Sequence, residues 1–418
     1  RISLSSSAIN SRIKISFSYL FRANLQNAAH FAGVAYPLNK ISKNGLDRFG
    51  ERYVCSNDVK DPDAILVRSA SMHEYDFSEN TLAIARAGAG VNNIPLEKCS
   101  EQGIVVFNTP GANANAVKEL VLCALFLSSR KIVPAIEWSK TLKGEGDAVS
   151  KLVEKGKSAF SGPEIKGKKL GVIGLGAIGV LVANAAHSLG MEVYGYDPFL
   201  SVDAAWKLSR AVKHAATLDD IYANCDYITL HVPLTDETRG FINAETIAKM
   251  KNSVRILNFA RGELVNTGDI INALADGKVA AYATDFLKDE LIDATGVITI
   301  PHLGASTPES EDNCAVMAVD ELKDYIENGN ITNSVNMPAV SVPRSGKTRI
   351  TIIHKNVPNV ISRITAIVAE ENINIDNMVN KSRGEYAYTM LDTDTEVSND
   401  AITAISSQDF AIRVRVIK

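Results

Sequence analysis

Residues 169–179 read Lys169-Leu-Gly-Val-Ile-Gly-Leu-Gly-Ala-Ile-Gly179, an apolar strand pattern that leads into the spacing G-x-G-x-x-G. Gly174 permits a tight turn, Gly176 lets backbone N–H groups approach a pyrophosphate, and Gly179 allows a helix to pack closely on a strand. The start of that helix adds partial positive charge where the phosphates would lie. Because the motif follows a strand and opens a helix, it predicts a dinucleotide-binding site rather than a flexible glycine-rich turn.

An acidic residue ends the next predicted strand, in Tyr194-Gly-Tyr-Asp197. A carboxylate at this position binds both ribose hydroxyls of NAD and repels the 2′-phosphate of NADP. Since no Arg or Lys follows directly in Pro198-Phe-Leu-Ser201, we predict NAD as the cofactor. The cofactor-binding residues predicted in this part of the chain are Gly174, Gly176, Ala177, Ile178, Gly179 and Asp197.

Short apolar runs alternate with helical patterns on both sides of the motif. The sequence predicts buried strands at 64–68, 82–86, 104–107, 191–196, 226–231, 254–259, 279–285 and 297–300. A long helix is predicted at 116–129, and residues 141–168 are expected to form a loop or hinge. Alternation of strand and helix favours doubly wound parallel sheets, and the α/β pattern before the motif indicates a second domain. A cleft between two domains is a common place for a substrate.

The pattern changes near Asn336, where residues 336–347 carry two prolines and a glycine and are expected to form a linker. Beyond it, the order of elements is β-α-β-β-α-β, which is typical of a ferredoxin-like domain. Its predicted strands are 349–354, 378–381, 385–392 and 412–417, and its predicted helices are 361–370 and 398–406.

Composition excludes several classes of function. Of the 418 residues, 46% are hydrophobic and 22% are charged, with a net charge of −4, so the basic excess of a nucleic-acid-binding surface is absent. No apolar run is long enough for a membrane span. The five cysteines are scattered and odd in number, which argues against a disulfide framework or a metal site and favours reduced thiols in the cytoplasm.

The first 32 residues differ from the rest, because no Asp or Glu occurs before Asp47 while Arg and Lys lie among serines. This composition is also that of an organellar presequence. We favour the interpretation that residues 1–32 are a poorly ordered N-terminal extension.

Three side chains beyond the glycine-rich motif suit oxidation of an alcohol by hydride loss. Arg261 follows a strand and can hold a carboxylate in a bidentate fork. His302 can remove the hydroxyl proton, and Glu290 can orient the imidazole and favour its protonated form. Each alone would be a surface or structural residue, but their placement after successive strands favours catalysis. His231 ends another strand, where it either lines the cofactor site or only packs.

These motifs together resemble the D-isomer-specific 2-hydroxyacid dehydrogenases. The matching stretches are Gly174–Gly179, His231–Leu234, Phe259–Gly262 and Pro301–Thr307, and the C-terminal β-α-β-β-α-β unit resembles an ACT domain. The resemblance covers the chain from about Val34 to its end. It implies a Rossmann-type doubly wound parallel sheet inserted in a flavodoxin-like substrate domain, with an additional ferredoxin-like ACT domain.

The domains that the resemblance implies are an extension at 1–32, a substrate-binding domain at 33–112 and 302–335, an NAD-binding domain at 113–301, a linker at 336–347 and an ACT regulatory domain at 348–418. It also implies that Arg261 binds the substrate carboxylate and that His302 accepts the proton with Glu290 as its partner. Further cofactor contacts are expected at His231, Pro233, Ala260, Asp285 and Gly304. Leu291 stands where the family has proline after the acid, so Asp289 is an alternative partner of His302.

The resemblance further implies oxidation of 3-phospho-D-glycerate to 3-phosphohydroxypyruvate in serine biosynthesis. The substrate would be bound by Arg68, Ser69, Arg86 and Gly88, of which the arginines suit a phosphate dianion. L-serine would bind at His354, Asn356 and Asn374 as a feedback effector, although Asn359 replaces a glycine that is usual in the effector loop.

Two other functions stay open at this point. The chain could reduce a different acid, as glyoxylate or hydroxypyruvate reductases do, or it could be a non-catalytic NAD-sensing protein. In every case we expect a homo-oligomer, dimer or tetramer, because regulatory domains of this kind pair by sheet edges that would otherwise be exposed.

Overall fold

The computed structural model describes residues 33–418, so the predicted extension at 1–32 lies outside the described residues. The described chain divides into two units by its internal contacts. We call residues 33–112 and 311–418 the split unit, and residues 113–310 the central unit. The split unit thus begins and ends the described chain, and the central unit is inserted into it.

The split unit starts with a parallel sheet of five strands. Their bounds are β1 Gly33–Pro37, β2 Tyr53–Cys55, β3 Ala64–Val67, β4 Ala83–Arg86 and β5 Val105–Asn108. The strand order is β2-β1-β3-β4-β5, which is the flavodoxin-like order. Every residue of β3 is buried, as expected for a parallel strand that is covered on both faces. Two short helices, α1 (Lys43–Leu46) and α2 (Leu96–Glu101), lie between these strands in the chain.

The central unit contains a parallel sheet of seven strands. Their bounds are β6 Lys169–Ile173, β7 Glu192–Tyr196, β8 Lys213–His214, β9 Tyr227–Leu230, β10 Val254–Asn258, β11 Val279–Thr284 and β12 Val297–Thr299. The order β12-β11-β10-β9-β6-β7-β8 reverses direction at β6. This is the Rossmann order, and its switch point places a ligand crevice at the carboxyl ends of β6 and β9.

Eight helices accompany the described central sheet. They are α3 Ala114–Ser129, α4 Ile132–Thr141, α5 Val149–Gly156, α6 Ala177–Ser188, α7 Val202–Lys207, α8 Leu218–Asn224, α9 Ala244–Lys249 and α10 Thr267–Ala275. The prediction of a loop over residues 141–168 was wrong, because α5 and two 3-10 turns lie within this range. Helix α5 has only two turns and buries no residue.

The chain returns to the split unit along a long helix, α11 (Pro308–Asn328), which leads to a four-stranded antiparallel sheet. The elements of this C-terminal domain are β13 Thr348–Lys355, α12 Val360–Glu370, β14 Ile375–Arg383, β15 Tyr386–Thr393, α13 Asn399–Ser406 and β16 Ala411–Ile417. The order β14-β15-β13-β16 is that of a ferredoxin-like sheet. The predicted mixed α/β fold, with parallel sheets and a separate small antiparallel domain, is confirmed.

The segment predicted as a linker has no regular secondary structure, but it is firmly packed. The side chain of Asn336 accepts a hydrogen bond from Val106 N at 2.8 Å and donates one to Ile104 O at 2.9 Å. Met337 and Val340 are buried in the core of the split unit. Residues 336–347 therefore attach the C-terminal domain to the first sheet instead of separating the two.

The described helices include none with the length and apolar character that crossing a lipid bilayer requires.

Candidate active site

The glycine-rich turn between β6 and α6 forms an open cradle at a helix start. No atom lies within 4 Å of the place that a Cβ of Gly176 would occupy. Helix α6 begins next to it, at Ala177, and no side chain caps its first N–H groups. A Cβ on Gly179 would lie 1.9 Å from the carbonyl oxygen of Gly174, so the helix touches the turn here. Free N–H groups facing open space at a helix start fit the pyrophosphate of a dinucleotide.

Asp197 fixes this turn from the end of β7. Its Oδ2 accepts a hydrogen bond from Leu175 N at 2.8 Å, and its Oδ1 accepts one from Phe199 N at 2.8 Å. Each carboxylate oxygen has a second lone pair, so the group can still accept from ribose hydroxyls. Asp197 thus positions the glycine-rich turn in addition to its predicted role at the ribose. Of the other predicted residues here, Ala177 is exposed and Ile178 is half-buried.

His231 lies behind the same turn, at the end of β9. Its carbonyl oxygen is 2.5 Å from the place of a Cβ on Gly174, and its Nε2 shares a hydrogen bond of 2.9 Å with Thr229 Oγ1. Its Nδ1 is buried without a hydrogen-bond partner. Burial lowers the pKa of His231 to about 3, so this imidazole is neutral near neutral pH. It therefore lies behind the turn, while Pro233 is exposed in the loop that follows, and contact of either residue with the cofactor stays a prediction.

A buried carboxylate lies near two of the predicted catalytic residues. Asp285 follows β11 with 2% of its surface exposed, and its Oδ2 accepts a hydrogen bond from Gly304 N at 3.3 Å. Its Oδ1 has no hydrogen-bond partner. Burial raises the pKa of Asp285, whereas the charges of His302 and Arg261 act in the opposite direction. Asp285, His302 and Arg261 are therefore close enough for their charges to interact.

His302 and Arg261 are exposed, and contacts within their loops hold both side chains. The ring of His302 meets the ring of Phe286 edge-on, with 5.1 Å between the centroids. Arg261 Nη1 donates a hydrogen bond to Ala260 O at 2.7 Å. The fully buried Asn258 donates from Nδ2 to Arg261 O at 2.9 Å and so fixes the loop that carries the arginine.

The sequence analysis gave no role to Asn258 or Phe286. For Asn258 a signal existed, since this polar side chain ends the strand directly after the apolar pair Ile256–Leu257.

Glu290 and Asp289 do not contact His302 in this structure. Both carboxylates are exposed, in a 3-10 turn that Leu291 anchors in the core. Among the described residues, neither has a hydrogen bond or an ion pair with the imidazole. The charge of His302 instead acts on the pKa of Asp285, which it lowers. The pairing of Glu290 with His302 therefore stays a prediction.

The four predicted substrate-binding residues lie at the carboxyl ends of β3 and β4 in the split unit, where Arg86 is the last residue of β4. Arg86 Nε donates a hydrogen bond to Arg68 O at 3.0 Å, which ties the two loops together. Gly88 has a φ of +148°, and a Cβ there would lie 1.9 Å from Arg86 Nη1, so the guanidinium covers this glycine. Ser69 is exposed next to Arg68. The two arginines and the serine thus form one polar cluster.

Two residues of this cluster were missed by the sequence analysis. Asn39 Oδ1 accepts from Arg68 N at 2.9 Å, and Asn39 Nδ2 donates to Ser69 Oγ at 3.2 Å. Glu311, in the first turn of α11, forms an ion pair with Arg68 at 2.8 Å. Both lie far from Arg68 in the chain, so no local pattern could have identified them.

The C-terminal domain contains a polar cavity of about 190 Å³. It is lined by His354, Asn356, Val357, Asn359, Val360, Ile361, Ser362 and Asn380. Asn356 Nδ2 donates to Gly384 O at 3.0 Å, and Asn359 adopts a left-handed backbone with φ of +67°. Burial lowers the pKa of His354, which keeps its ring neutral. With its left-handed backbone, Asn359 supplies the conformation of the glycine that is usual at this position.

Asn374 does not line this cavity. Its Nδ2 donates to Asp376 Oδ1 at 3.3 Å on the exposed side of the segment before β14. Asn380, on β14, lines the cavity instead. The structure therefore does not bring Asn374 together with His354 and Asn356 within this chain, and a role of Asn374 in effector binding stays a prediction.

Within residues 33–418, no group of three or more His, Cys, Asp or Glu side chains is placed to hold a metal ion.

Comparison with known proteins decides the family. A family model described as D-isomer specific 2-hydroxyacid dehydrogenase, NAD binding domain, matches residues 124–304. A D-3-phosphoglycerate dehydrogenase of Haemophilus influenzae is 31% identical over 374 residues, which cover 86% of this chain and 87% of that enzyme. The chain belongs to the D-isomer-specific 2-hydroxyacid dehydrogenases. It is an NAD-dependent D-2-hydroxyacid dehydrogenase, so the predicted family, enzyme class and cofactor are confirmed.

Other 2-hydroxyacid dehydrogenases match over less of their length. The human D-3-phosphoglycerate dehydrogenase is 35% identical over 301 residues, which are 70% of this chain and 54% of that enzyme. The Methanocaldococcus jannaschii enzyme of the same name is 35% identical over 75% of this chain and 61% of its own length. The chain therefore spans little more than half the length of these two relatives.

Solved 2-hydroxyacid dehydrogenase structures share the fold. The NAD⁺-bound 3-phosphoglycerate dehydrogenase of Entamoeba histolytica matches with a TM-score of 0.56 and 26% identity, over 73% of this chain and 99% of that chain. A glyoxylate reductase from Paecilomyes thermophila matches with a TM-score of 0.59 and 23% identity, over 73% of this chain and 98% of that chain.

Proposed function

We propose that this dehydrogenase oxidises 3-phospho-D-glycerate to 3-phosphohydroxypyruvate, the reaction that commits this acid to serine synthesis. The observation that carries the proposal is the polar cluster around Arg68, in which a second guanidinium and a hydroxyl lie in adjoining loops. A phosphate dianion suits several donors with planar guanidinium forks. Relatives named D-3-phosphoglycerate dehydrogenase support the same substrate.

Each residue has a distinct role in the proposed reaction. Arg261 binds the substrate carboxylate, and Arg68, Ser69 and Arg86 bind the phosphate. His302 accepts the hydroxyl proton as the alcohol becomes a ketone, and the negative charge of Asp285 stabilises the resulting imidazolium. NAD, when bound at the glycine-rich turn, supplies the hydride acceptor.

A substrate panel tests the proposal. NADH formation would be followed with 3-phosphoglycerate, D-glycerate, glycolate and D-lactate as substrates. We expect kcat/KM for the phosphorylated acid to exceed the others by roughly 10²-fold or more, because only the phosphate can form charge-assisted hydrogen bonds with the guanidinium groups of the cluster. Faster turnover of an unphosphorylated acid would instead indicate a reductase of glyoxylate or hydroxypyruvate.

L-serine is the effector that we propose for the cavity at His354 and Asn356. The amide groups of Asn356, Asn359 and Asn380 can engage both the ammonium and the carboxylate of an amino acid. Calorimetric titration with L-serine should show binding, and Asn356→Ala should weaken it. Absence of heat at millimolar serine would remove this part of the proposal.

The proposal includes a cytoplasmic homo-oligomer. The five cysteines are all unpaired, which suits a reducing compartment. Strands β14 and β16 are the edges of the antiparallel sheet, where a second copy could add its own strand. Light scattering in solution would give the number of subunits, and a monomer at micromolar concentration would contradict the proposed assembly.

A further inference from the structure

The guanidinium of Arg68 already has a counter-ion within its own chain. Its Nη2 lies 2.8 Å from Glu311 Oε1, and the two side chains are 37% and 40% exposed. The neighbouring Asp312 accepts hydrogen bonds from Ser42 and, at 2.7 Å, from Asn44 Nδ2. These contacts fix the start of α11 to the start of α1. Glu311 is therefore held beside Arg68 by the fold and not only by their mutual attraction.

Arg68 is held from its other side as well. Asn39 accepts its backbone N–H, and Arg86 donates to its carbonyl oxygen. In the described part of the chain, Nε and Nη1 of Arg68 form no hydrogen bond. Arg68 thus has a fixed backbone, one nitrogen paired with Glu311, and two nitrogens with free donors for an incoming anion.

We propose that Glu311 is a specificity-determining residue that acts through Arg68 by limiting how tightly the cluster binds a phosphate group. The inference rests on the proposed function, because it assumes that Arg68 meets the phosphate of the substrate. A carboxylate beside Arg68 cancels part of its positive charge and repels an anion that binds to the free donors. A phosphate dianion experiences this repulsion about twice as strongly as a singly charged group.

Glu311 affects release of the product as much as binding of the substrate. The oxidised product carries the same phosphate as the substrate, so tight binding of that group would retain the product. Binding energy that is equal for substrate, transition state and product does not raise kcat. Glu311 keeps the phosphate contact weak enough for exchange while it orients the guanidinium. It also lowers occupation of the cluster by inorganic phosphate.

The test separates the charge of Glu311 from its contact with Arg68. Glu311→Gln keeps an oxygen that accepts from the guanidinium but removes the charge, and Glu311→Ala removes both. Asp320→Asn is the matched control, because Asp320 lies on the same helix and pairs with a different arginine, Arg48, at 2.9 Å. KM and kcat would be measured with 3-phosphoglycerate and with D-glycerate, and Ki with inorganic phosphate.

Glu311→Gln should lower KM for 3-phosphoglycerate and Ki for phosphate by about three- to tenfold at low ionic strength. This gain should shrink as salt screens the repulsion. KM for D-glycerate and the constants of the Asp320→Asn variant should stay unchanged. Because the alanine variant also loses orientation, its KM for 3-phosphoglycerate should exceed that of the glutamine variant.

An unchanged or higher KM and Ki in Glu311→Gln would overturn the inference, and equal values for the glutamine and alanine variants would refute the orienting role. Arg68→Ala distinguishes this from failure of the proposed function. If Arg68→Ala leaves KM for 3-phosphoglycerate unchanged, the substrate assignment fails. If it raises KM while Glu311→Gln has no effect, only the inference about Glu311 fails.

Discussion

At the scale of single residues, the site depends on a buried carboxylate that has no cation bonded to it directly. Asp285 is almost completely enclosed, and one of its oxygens lacks any hydrogen-bond partner. An unpaired carboxylate in this position is costly unless positive charge lies nearby. His302 and Arg261 supply that charge, so protonation of the imidazole during turnover also stabilises Asp285 as an anion.

Replacement of Asp285 by Asn tests this coupling. The variant keeps the size of the side chain but loses the negative charge that favours a protonated imidazole. We expect kcat/KM to fall by roughly 10- to 100-fold and the acidic limb of its pH profile to move to lower pH. Steady-state kinetics between about pH 5 and 9 would measure both. A profile identical to that of the wild type would show that Asp285 does not act on the base.

Sequence reasoning identified the site residues that lie in local motifs. It missed residues that act on the site from distant segments of the chain. Gly176, Asp197 and Arg261 stand in motifs whose spacing carries their chemistry, so their positions could be predicted. Asn39 and Glu311 act on Arg68 from distant segments, and only the folded chain brings them there. The charge interaction of Asp285 with His302 was also not predicted, and the pairing of Glu290 with His302 stays a prediction.

At the scale of elements, the start of α6 illustrates two different uses of glycine. Gly176 borders open space, whereas Gly179 touches the carbonyl of Gly174. Gly176 leaves room for a ligand, and Gly179 lets helix α6 pack against the glycine-rich turn.

The two corresponding alanine variants should therefore behave differently. Gly176→Ala should weaken NAD binding by roughly tenfold or more while thermal stability stays near that of the wild type, because its methyl group enters empty space. Gly179→Ala should lower stability by about 1–3 kcal/mol, since its methyl group overlaps the turn. Calorimetry with NAD and thermal melts would distinguish them, and equal melting temperatures would contradict this account.

Strands with continuous apolar sequences were predictable, and shorter elements were not. Strands β3, β4, β5 and the long parallel strands of the central unit lie within one or two residues of their predicted bounds. β1 and β2 were missed because one contains glycine and proline and the other has only three residues. Helix α5 was missed because it is short and lies in a stretch rich in Lys and Gly, which we interpreted as a loop.

At the scale of the whole molecule, the C-terminal domain is part of the split unit and shares its core. Ile353, Tyr388 and Met390 of the antiparallel sheet belong to the same buried cluster as residues of the first sheet. Tyr388 also donates a hydrogen bond to Gly329 O at 2.6 Å. Sequence analysis predicted the domain itself but described its connection as a linker, because prolines and a glycine give no sign of such contacts.

Arg349 forms the polar contacts that hold the C-terminal domain to the segments preceding it in the chain. Its guanidinium is fully buried, pairs with Asp392 at 2.6 and 2.7 Å, and donates to the carbonyl oxygens of Asn328 and Pro343. Arg349→Ala should lower the free energy of unfolding by roughly 3–5 kcal/mol, because it leaves a buried carboxylate without its cation. Urea denaturation would measure the loss. A change below about 1 kcal/mol, as for an exposed ion pair, would contradict the role of Arg349.

The central claim for the molecule is that His302 accepts the proton of a phosphorylated hydroxy acid while NAD is bound in the same unit. The most direct test compares the wild type with His302→Ala in NADH formation from 3-phosphoglycerate, with NAD affinity measured on both. We predict that kcat falls by roughly 10²- to 10⁴-fold while NAD affinity changes little. An undiminished kcat in the alanine variant would contradict the account.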